Sequence, residues 1–334
     1  NLARAVIHAQ AAWRAPMDFA PFLPLLKRFN EIGTFALGLD RTPSAEVAVI
    51  TDEENFFHMS DRYDLDLAAT SHQVLKGLAR FGAPFDHYLL DDFAEGRIKP
   101  YKLYIFPYAW RIDAARREKI KMELRRDGRI AVWVYAPGFV ADDASVDNMK
   151  DLTGFTYGRS DYPFPAFMHI TDFTHPITER ISQDLFWSFS APLGPLFWIE
   201  DPEARILGQV AISLGRNVPG MGVKRFPEWT SVHMAVPDVP APILRGLARF
   251  AGVHLYSDAG DVLYASRDLL AVHTVAGGKR TFRLPRRAEI VRDLFTGKTV
   301  ARNVSAFTVD LAPKSSELWH FGPSDSAGQT PGKI

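Results

Sequence analysis

Short, almost uninterrupted apolar runs that alternate with helix-like segments are the feature of this sequence that most constrains its fold. Three of the runs are EVAVIT, KLYIFP and RIAVWVY, at Glu46–Thr51, Lys102–Pro107 and Arg129–Tyr135. Because they lack polar alternation, they are typical of strands buried on both faces of a parallel sheet. Leu65–Phe81 and Asp113–Arg126 have helical patterns, and Phe85–Leu90 is a further strand. This rhythm predicts a doubly wound α/β domain.

The residues before and after this α/β segment have different sequence patterns. Residues 19–39 are helix-like, and residues 323–334 are rich in Gly, Pro and Ser, as in a flexible tail. From Val253 onward, short alternating runs are separated by hairpin signals at Gly277-Gly278 and at Thr296–Lys298, which predicts a small antiparallel β-sandwich. The expected domains are a helical segment, an α/β domain, a β-sandwich and a tail, at residues 1–42, 43–252, 253–322 and 323–334.

Charge and composition narrow the class of partner. Lysine plus arginine and aspartate plus glutamate both number 39, so the formal net charge is zero. A neutral chain without a long basic run argues against nucleic acid and anionic membranes as partners. No cysteine is present, which excludes disulfides and a cysteine nucleophile. No apolar stretch approaches the ~20 residues of a membrane-spanning helix, and nothing at the N-terminus reads as a signal peptide.

Acidic residues follow the first two strands of the predicted sheet. Asp52, Glu53 and Asn55 come directly after the first strand, and Asp91 and Asp92 follow the second. In an open α/β sheet, ligands bind at the carboxyl ends of the strands, so these side chains can converge on one crevice. A pair of carboxylates there could serve as acid and base or hold a divalent cation. The alternative, which we favour, is that these acids cap the next helix and solvate a loop.

Aromatic residues near strand ends are a second set of candidates. Trp110 and Arg111 follow the third strand, and an indole and a guanidinium both offer flat faces that stack on a sugar or on a neighbouring subunit. With Phe57 and Tyr108 they are substrate-pocket or interface candidates, and interface or packing is favoured. The aromatic segments Phe186–Phe189 and Phe197-Trp198 could either form a flat surface that binds a sugar or pack in the core. Packing is again the favoured interpretation.

The turn after the fourth strand lacks a reactive side chain at the position where hydrolases carry their nucleophile. In hydrolase folds, such a turn has the form x-x-nucleophile-x-Gly and exposes a reactive side chain. Here the turn is Val134–Gly138, and Ala136, which has no reactive atom, stands at the nucleophile position. The ten histidines show no metal-binding spacing, and the cluster around His169 and His175 is better explained by polar loop residues. Neither a metal nor a cofactor is predicted.

The order and texture of these segments resemble the family 42 β-galactosidases. Ala45–Phe57, Lys102–Trp110 and Gly128–Val140 resemble that family's middle, trimerisation domain. Arg249–Thr274 resembles the junction into its small C-terminal β-domain, and Arg286–Val300 resembles that domain itself. Residues 1–39 resemble the end of the family's catalytic barrel and its exit helix. The resemblance therefore extends over about residues 10–322.

The resemblance implies an amidotransferase- or flavodoxin-like doubly wound domain without its nucleophile, followed by a small antiparallel β-sandwich. In this family the acid/base and nucleophile glutamates lie on a (β/α)8 barrel of ~250 residues. No glutamate of this chain matches those motifs, so no catalytic residue is carried over. The resemblance implies a non-catalytic oligomerisation portion that shapes the sugar site of a barrel in the same or a companion polypeptide. It also implies a homotrimer.

Two alternatives stay open. The chain is a stand-alone hydrolase that uses the crevice of Asp52, Glu53 and Asp92, or it is a carbohydrate-binding module that uses tryptophans such as Trp110 or Trp198. In the favoured interpretation the chain alone is catalytically silent, and its relation to carbohydrate is indirect. The sequence indicates neither the sugar nor the linkage, and it favours a cytoplasmic location only slightly.

Overall fold

The computed structural model describes residues 23–40, 42–58, 73–74, 76–189, 191–213 and 215–323 of the chain. Most of the helix expected over Leu65–Phe81, the first 22 residues and the tail after residue 323 lie outside these ranges. The chain divides into two compact units. Ala45–Gly260 forms the larger unit. The described residues from Leu23 to Ser44, together with those from Asp261 to Pro323, form the smaller one.

The elements of the larger unit alternate between strands and helices in its first half and are mostly strands in its second half. The α-helices described there are α2 (Leu90–Ala94), α3 (Ala114–Leu124), α4 (Val146–Thr153) and α5 (Ala241–Phe250). The first strands are β1 (Val47–Thr51), β2 (Asp86–Leu89), β3 (Leu103–Tyr108), β4 (Arg129–Val134), β5 (Tyr157–Ser160) and β6 (Phe167–Ile170). They are followed by β7 (Phe186–Ser188), β8 (Leu196–Ile199), β9 (Arg205–Ser213), β10 (Arg216–Arg225) and β11 (Trp229–Met234). Two short 3-10 helices, Glu53–His58 and Leu78–Arg80, complete the set.

A nine-stranded mixed sheet organises the larger unit. Its strand order is β2-β1-β3-β4-β11-β10-β9-β6-β7, while β5 and β8 form a separate two-stranded sheet. The first five strands pair in parallel and the last four join by antiparallel pairs. The predicted mixed α/β class is therefore confirmed, although only one half of the sheet is parallel.

Burial on both faces explains the apolar runs. Val47 and Val49 of β1 belong to one core cluster, which also includes apolar residues of α5. Ala48 and Ile50 belong to a second cluster, which includes apolar residues of α2 and α3. All six residues of β4 are buried. Helices thus cover the parallel strands on both sides, as the sequence predicts for β1, β3 and β4.

The smaller unit combines one helix with an antiparallel sheet. Its elements are α1 (Leu23–Leu37), β12 (Val262–Ala265), β13 (Leu269–Thr274), β14 (Gly278–Asp293), β15 (Thr299–Leu311) and β16 (Ser315–Gly322). Ile32, Phe35 and Ala36 of α1 share a core cluster with the strand residues Leu269 and Leu318 and with Leu294, in the turn after β14. Arg28 is buried, and its Nη2 donates a hydrogen bond to the carbonyl oxygen of Leu294 at 2.6 Å. Residues expected to end a barrel therefore pack on the C-terminal sheet.

The C-terminal sheet differs from the expected sandwich. Its described strands form one five-stranded sheet in the order β12-β13-β16-β14-β15. Gly278–Asp293 is one long strand, β14, in place of the short strands expected here. It pairs with both β15 and β16 and so joins all five strands into one sheet. The Thr296–Lys298 hairpin is confirmed. The Gly277-Gly278 hairpin is wrong, because β13 pairs with β12 and β16 and not with β14.

The segment after α5 also differs from the prediction. Val253–Tyr256 is not a strand, and it belongs to the larger unit. The backbone NH of Tyr256 donates to the carbonyl oxygen of Gly82 at 2.8 Å, and the NH of His254 donates to Glu46 Oε2 at 2.7 Å. These bonds hold the segment against the starts of the parallel strands. The boundary between the units consequently falls after Gly260 rather than after Gly252.

Candidate functional site

The carboxyl ends of the parallel strands bring most of the predicted site residues to one edge of the sheet. Asp52 and the 3-10 helix Glu53–His58 follow β1, and α2, with Asp91 and Asp92, follows β2. Trp110 and Arg111 follow β3, whose last residue is Tyr108. Because all these strands run in the same direction, their carboxyl ends share this edge. We call it the carboxyl edge.

An arginine that the sequence analysis did not single out organises the acids of the carboxyl edge. Arg116 Nη1 lies 3.3 Å from Asp52 Oδ2 and 3.0 Å from Glu54 Oε2. Arg116 Nη2 lies 2.5 Å from Asp91 Oδ1. Arg111 Nη1 makes a further 3.0 Å ion pair with Glu54. We name Asp52, Glu54, Asp91 and Arg116 the Arg116 cluster.

The first turn of α3 places Arg116 in that position. Asp113 is the helix N-cap, and its side chain accepts a 2.8 Å hydrogen bond from the backbone NH of Arg116. This bond satisfies one of the free NH groups at the start of the helix. The helix expected from Asp113 therefore begins where the sequence predicts. The sequence gives no signal that the Arg116 side chain lies beside the strand ends.

Burial and charge act in opposite directions on Asp52. The residue is 4% exposed, and its removal from water raises the pKa of its carboxyl group, while a backbone hydrogen bond from Glu54 and the Arg116 charge lower it. The pKa of Arg116 is also raised, since the hydrogen bond to Asp91 and the three carboxylates outweigh the effect of burial. Burial is the larger effect on Asp52, so the pKa of its carboxyl group is raised overall.

Asn55 ties the loop after β1 to the loop after β3. The side chain is fully buried, and its Nδ2 donates to the carbonyl oxygen of Asp52 at 3.0 Å. Its Oδ1 accepts hydrogen bonds from the backbone NH groups of Trp110 at 3.1 Å and Arg111 at 2.8 Å. This candidate thus shapes the carboxyl edge through the backbone of two other candidates.

The remaining candidates lie apart from the Arg116 cluster. Asp92 forms a 2.8 Å ion pair with Arg97 on the exposed side of α2. Glu53 is exposed on its 3-10 helix. Phe56 and Phe57 are 53% and 80% exposed, and their rings meet edge to face with centroids 6.1 Å apart. The acids brought together by Arg116 are therefore Asp52, Glu54 and Asp91, a different set from Asp52, Glu53 and Asp92.

Trp110 is half-buried and packs against other aromatic rings. Its ring meets that of Tyr135 edge to face at a centroid distance of 5.7 Å. Tyr135 in turn contacts Phe197 at 5.8 Å, and Phe197 contacts Phe139 at 4.7 Å. The Arg159 guanidinium lies over the Phe139 ring at 4.9 Å. Phe139 and Phe197 are buried, so this row of rings continues from the carboxyl edge into the core.

The turn after β4 has its strained residue at Tyr135 and not at Ala136. Tyr135 has φ 68°, a left-handed conformation that is rare for a bulky side chain, and it directly follows β4. Its hydroxyl donates a 2.6 Å hydrogen bond to the carbonyl oxygen of Pro195. Ala136, the expected nucleophile position, is buried. A phenol with its proton held in the core, and not a Ser or Cys, occupies the strained position.

The other sequence-based candidates lie in the second half of the larger unit. Trp198 Nε1 donates to Glu200 Oε1 at 2.8 Å. His169 lies in β6, and His175 is buried with its Nδ1 accepting from the NH of Ile177 at 3.2 Å. In the residues that the structure describes, no three His, Asp or Glu side chains are grouped as metal ligands. No helix among them is long and apolar enough to cross a membrane.

Comparison with solved structures identifies proteins of similar fold. The β-galactosidase from Bacillus circulans sp. alkalophilus aligns with 89% of this chain at a TM-score of 0.61 and 15% sequence identity, over 45% of its own length. A catalytic mutant of Gan42B, a GH42 β-galactosidase from G. stearothermophilus, aligns with 88% at a TM-score of 0.58 and 15% identity, over 42% of its length. The β-galactosidase from Rahnella sp. R3 aligns with 89% of this chain at a TM-score of 0.57 and 13% sequence identity, over 44% of its own length.

The chain spans less than half the length of these β-galactosidases, as expected of a C-terminal portion of such an enzyme. No protein-family profile and no curated protein sequence matches it. The predicted resemblance to GH42 β-galactosidases is confirmed at the level of the fold.

Proposed function

We propose that this chain is a non-catalytic accessory portion of a β-galactosidase-like glycoside hydrolase. In this proposal it joins subunits into a homotrimer and shapes the sugar site of a (β/α)8 barrel carried by the same or a companion polypeptide. The observation that supports it most is the alignment of nine-tenths of the chain with less than half of a β-galactosidase. The finer description, an amidotransferase- or flavodoxin-like domain followed by a small β-domain, belongs to the same proposal.

The chemistry of the carboxyl edge supports a non-catalytic role. Glycoside hydrolysis uses two carboxyl groups, one kept protonated and one free to attack or to activate water. Asp52 and Asp91 are both bound to the Arg116 guanidinium, which leaves their carboxyl groups little freedom to reorient. Tyr135 occupies the strained turn with its proton donated to Pro195. These groups stabilise the edge, and they are poorly placed to act on a glycosidic bond.

Exposed aromatic rings at the same edge support a role in assembly. Phe57 is 80% exposed and Phe56 is 53% exposed, although both are large and apolar. Such side chains side by side on a protein surface are typical of a partner surface. Arginine and tryptophan, here Arg111 and the half-buried Trp110, are frequent among the residues that dominate binding energy. Cyclic symmetry is the rule for such assemblies, and the family resemblance favours three subunits.

Light scattering tests the assembly role. The purified chain is expected to associate with rising concentration towards three times the 37.4 kDa mass of one chain. Replacing Phe56 and Phe57 together with serine is expected to weaken this association at least tenfold. Tyr162→Ser is the matched control, since Tyr162 is 71% exposed in another part of the same unit. The trimer would be contradicted if the chain stays monomeric at all concentrations, both alone and when the polypeptide that carries the barrel is present.

Hydrolysis of aryl β-galactosides tests the non-catalytic role. The purified chain is expected to show no turnover. Turnover that disappears in Glu53→Gln or in Asp92→Asn would instead establish the stand-alone hydrolase. Glu95→Gln is the control for both variants, since it changes a nearby acid that is outside the alternative site. Loss of binding to sugar in Trp110→Ala or Trp198→Ala would favour the second alternative, a carbohydrate-binding module built on those tryptophans.

A further inference from the structure

At the antiparallel end of the nine-stranded sheet, β6 and β7 have one face in the core and one face open to solvent. Met168 of β6, Trp187 of β7 and Val210 of β9 are buried and belong to the same core cluster. Side chains on a strand alternate between faces, so the residues on either side of these three point the opposite way. The burial of β6 and β7 follows that alternation. The core contacts therefore fix which side chains the outer face presents.

The strand register arranges the outer residues in two rows. Phe167 of β6 pairs with Ser188 of β7 and with Ala211 of β9. His169 pairs with Phe186 of β7 and with Gln209 of β9. Neighbouring strands lie about 4.8 Å apart, and same-face residues of one strand lie about 6.8 Å apart. We call these six positions the outer face: Phe167, Ser188, Ala211, His169, Phe186 and Gln209.

Two aromatic rings of the outer face are open to solvent. Phe186 is 68% exposed and Phe167 is 48% exposed. They lie on adjacent strands and are diagonal neighbours in the register, a separation that two aromatic side chains can bridge. Trp187, between Phe186 and Ser188, packs inward, and its Nε1 donates to the carbonyl oxygen of Val236 at 3.5 Å. Because Trp187 fills the core side of β7, Phe186 must point to the opposite face.

Polar groups without formal charge surround these rings. Gln209 carries an amide, Ser188 a hydroxyl and His169 an imidazole, and all three side chains are partly exposed. No Lys, Arg, Asp or Glu occupies any of the six positions, although such residues make up 23% of the chain. A charged or strongly basic partner finds no complementary group here. An uncharged ligand with both apolar and hydroxyl-rich faces matches this set.

We propose that the outer face binds neutral oligosaccharides. The C–H face of a pyranose ring is apolar and packs flat on an exposed phenyl ring, while the hydroxyl groups at its rim exchange hydrogen bonds with amide, hydroxyl and imidazole groups. Two rings on adjacent strands can support successive sugar residues. The site includes Phe186 and Ser188 of the aromatic segment Phe186–Phe189 considered above, but neither Trp110 nor Trp198. It is independent of the accessory role and of any barrel.

Affinity electrophoresis with immobilised neutral polysaccharides tests the proposal on the intact chain. The probes are β-galactan, xylan, glucomannan and soluble starch, with polygalacturonate as the anionic comparison. We expect at least one neutral polysaccharide to retard the chain and polygalacturonate to leave it unretarded. Phe167→Ala and Phe186→Ala are each expected to weaken retardation about tenfold, the size of a lost ring contact. Tyr264→Ala is the matched control, because Tyr264 is 48% exposed on another sheet, and it should be retarded like the wild type.

Unchanged thermal unfolding of the two phenylalanine variants shows that their loss of retardation is not a loss of fold. The proposal is overturned if no neutral polysaccharide retards the wild type, or if both variants are retarded as strongly as it is. It is also overturned if the variants only change the mass measured by light scattering, since the outer face is then a protein interface. Binding without trimer formation would support this site while contradicting the proposed assembly role.

Discussion

At the scale of single residues, the carboxyl edge depends on one buried amide. Asn55 supplies the acceptor for two backbone NH groups of the loop after β3. Replacing it with alanine leaves both donors and the Asp52 carbonyl oxygen without this partner. We expect Asn55→Ala to lower the free energy of unfolding by about 2–4 kcal/mol, because an unsatisfied buried polar group costs about 1–3 kcal/mol.

Urea denaturation followed by circular dichroism measures this loss. Asn217→Ala is the matched control, since Asn217 is exposed in β10 and its replacement should change stability by no more than about 0.5 kcal/mol. Equal stabilities of the two variants would show that the Asn55 hydrogen bonds contribute nothing net to the fold.

His233 makes the larger unit sensitive to acid. The residue lies in β11 and is fully buried, with its Nδ1 3.3 Å from the hydroxyl oxygen of Tyr157. Burial lowers its pKa to about 3 from an ordinary value of 6.5. Between these values the unfolded chain binds a proton that the folded chain does not. The free energy of unfolding therefore falls as the pH falls from 6.5 towards 3.

Comparison of the wild type with a His233 variant between pH 7 and pH 5 isolates the effect of His233, because His87 and His175 of the same unit also have lowered pKa values. About 2 kcal/mol of stability should be lost from this residue, at 1.36 kcal/mol for each pH unit below 6.5. His233→Phe, less stable at pH 7 because the Tyr157 contact is gone, should lose about that much less over the same range. His58→Gln, an exposed histidine of the same unit, should behave as the wild type. A wild-type pH dependence in His233→Phe would contradict the assignment.

At the scale of elements, the Arg116 cluster joins the start of α3 to the ends of β1 and β2. Asp52 is 4% exposed and the Arg116 side chain 14%, so this is a largely buried ion pair. Removing one partner leaves an uncompensated buried charge, which costs about 3–5 kcal/mol. Arg116→Met is expected to destabilise the larger unit by this amount.

The double variant Asp52→Asn/Arg116→Met separates charge from packing. It should recover a large part of the lost stability in urea unfolding, because no buried charge then remains. Arg97→Met is the matched control, since the Arg97–Asp92 pair is about half exposed and such pairs contribute about 0–1 kcal/mol. If the double variant is less stable than Arg116→Met alone, the loss comes from packing of the Arg116 side chain.

Elements with a local signal could be predicted from the sequence. β1, β3 and β4 are apolar runs long enough to identify alone, and Asp113 is a helix N-cap in a typical position. β10 carries no local strand signal, because Pro219, Gly220 and Gly222 are residues that disfavour strands. Its ladder with β9 and β11 overrides that local preference. A Cβ atom at Gly220 would lie 2.3 Å from Val210 Cγ2, so the close strand packing itself requires glycine.

The location of the candidate site could be predicted from the sequence, but the contacts between its side chains could not. The ends of parallel strands locate the carboxyl edge, so Asp52, Asn55, Trp110 and Arg111 do meet there. Which acids share a cation depends on the direction of α3, and the sequence carries no signal for that direction. The strained residue after β4 depends on how the chain turns towards Pro195, which lies far away in the sequence. These contacts are set by tertiary packing alone.

At the scale of the whole molecule, the larger unit should fold without the smaller one. Its sheet, its helices and the segment after α5 are all contained in Ala45–Gly260. A polypeptide of residues 45–260 is expected to unfold cooperatively on heating. A polypeptide of residues 45–252 loses the buried residues Tyr256 and Ser257 and their bonds, and should melt several degrees lower. Equal melting temperatures would place the boundary after Gly252, as hydrophobic patterning alone suggests.

The order of the central strands has a consequence for synthesis on the ribosome. β4 is buried along its whole length, and one of its two neighbours, β11, begins roughly 95 residues after β4 ends. At about 5–20 residues per second, a bacterial or eukaryotic ribosome needs roughly 5–20 s to supply that neighbour. During this interval the nascent chain carries an apolar strand with one open edge. Faster elongation or chaperone cover over this stretch should therefore raise the yield of soluble protein.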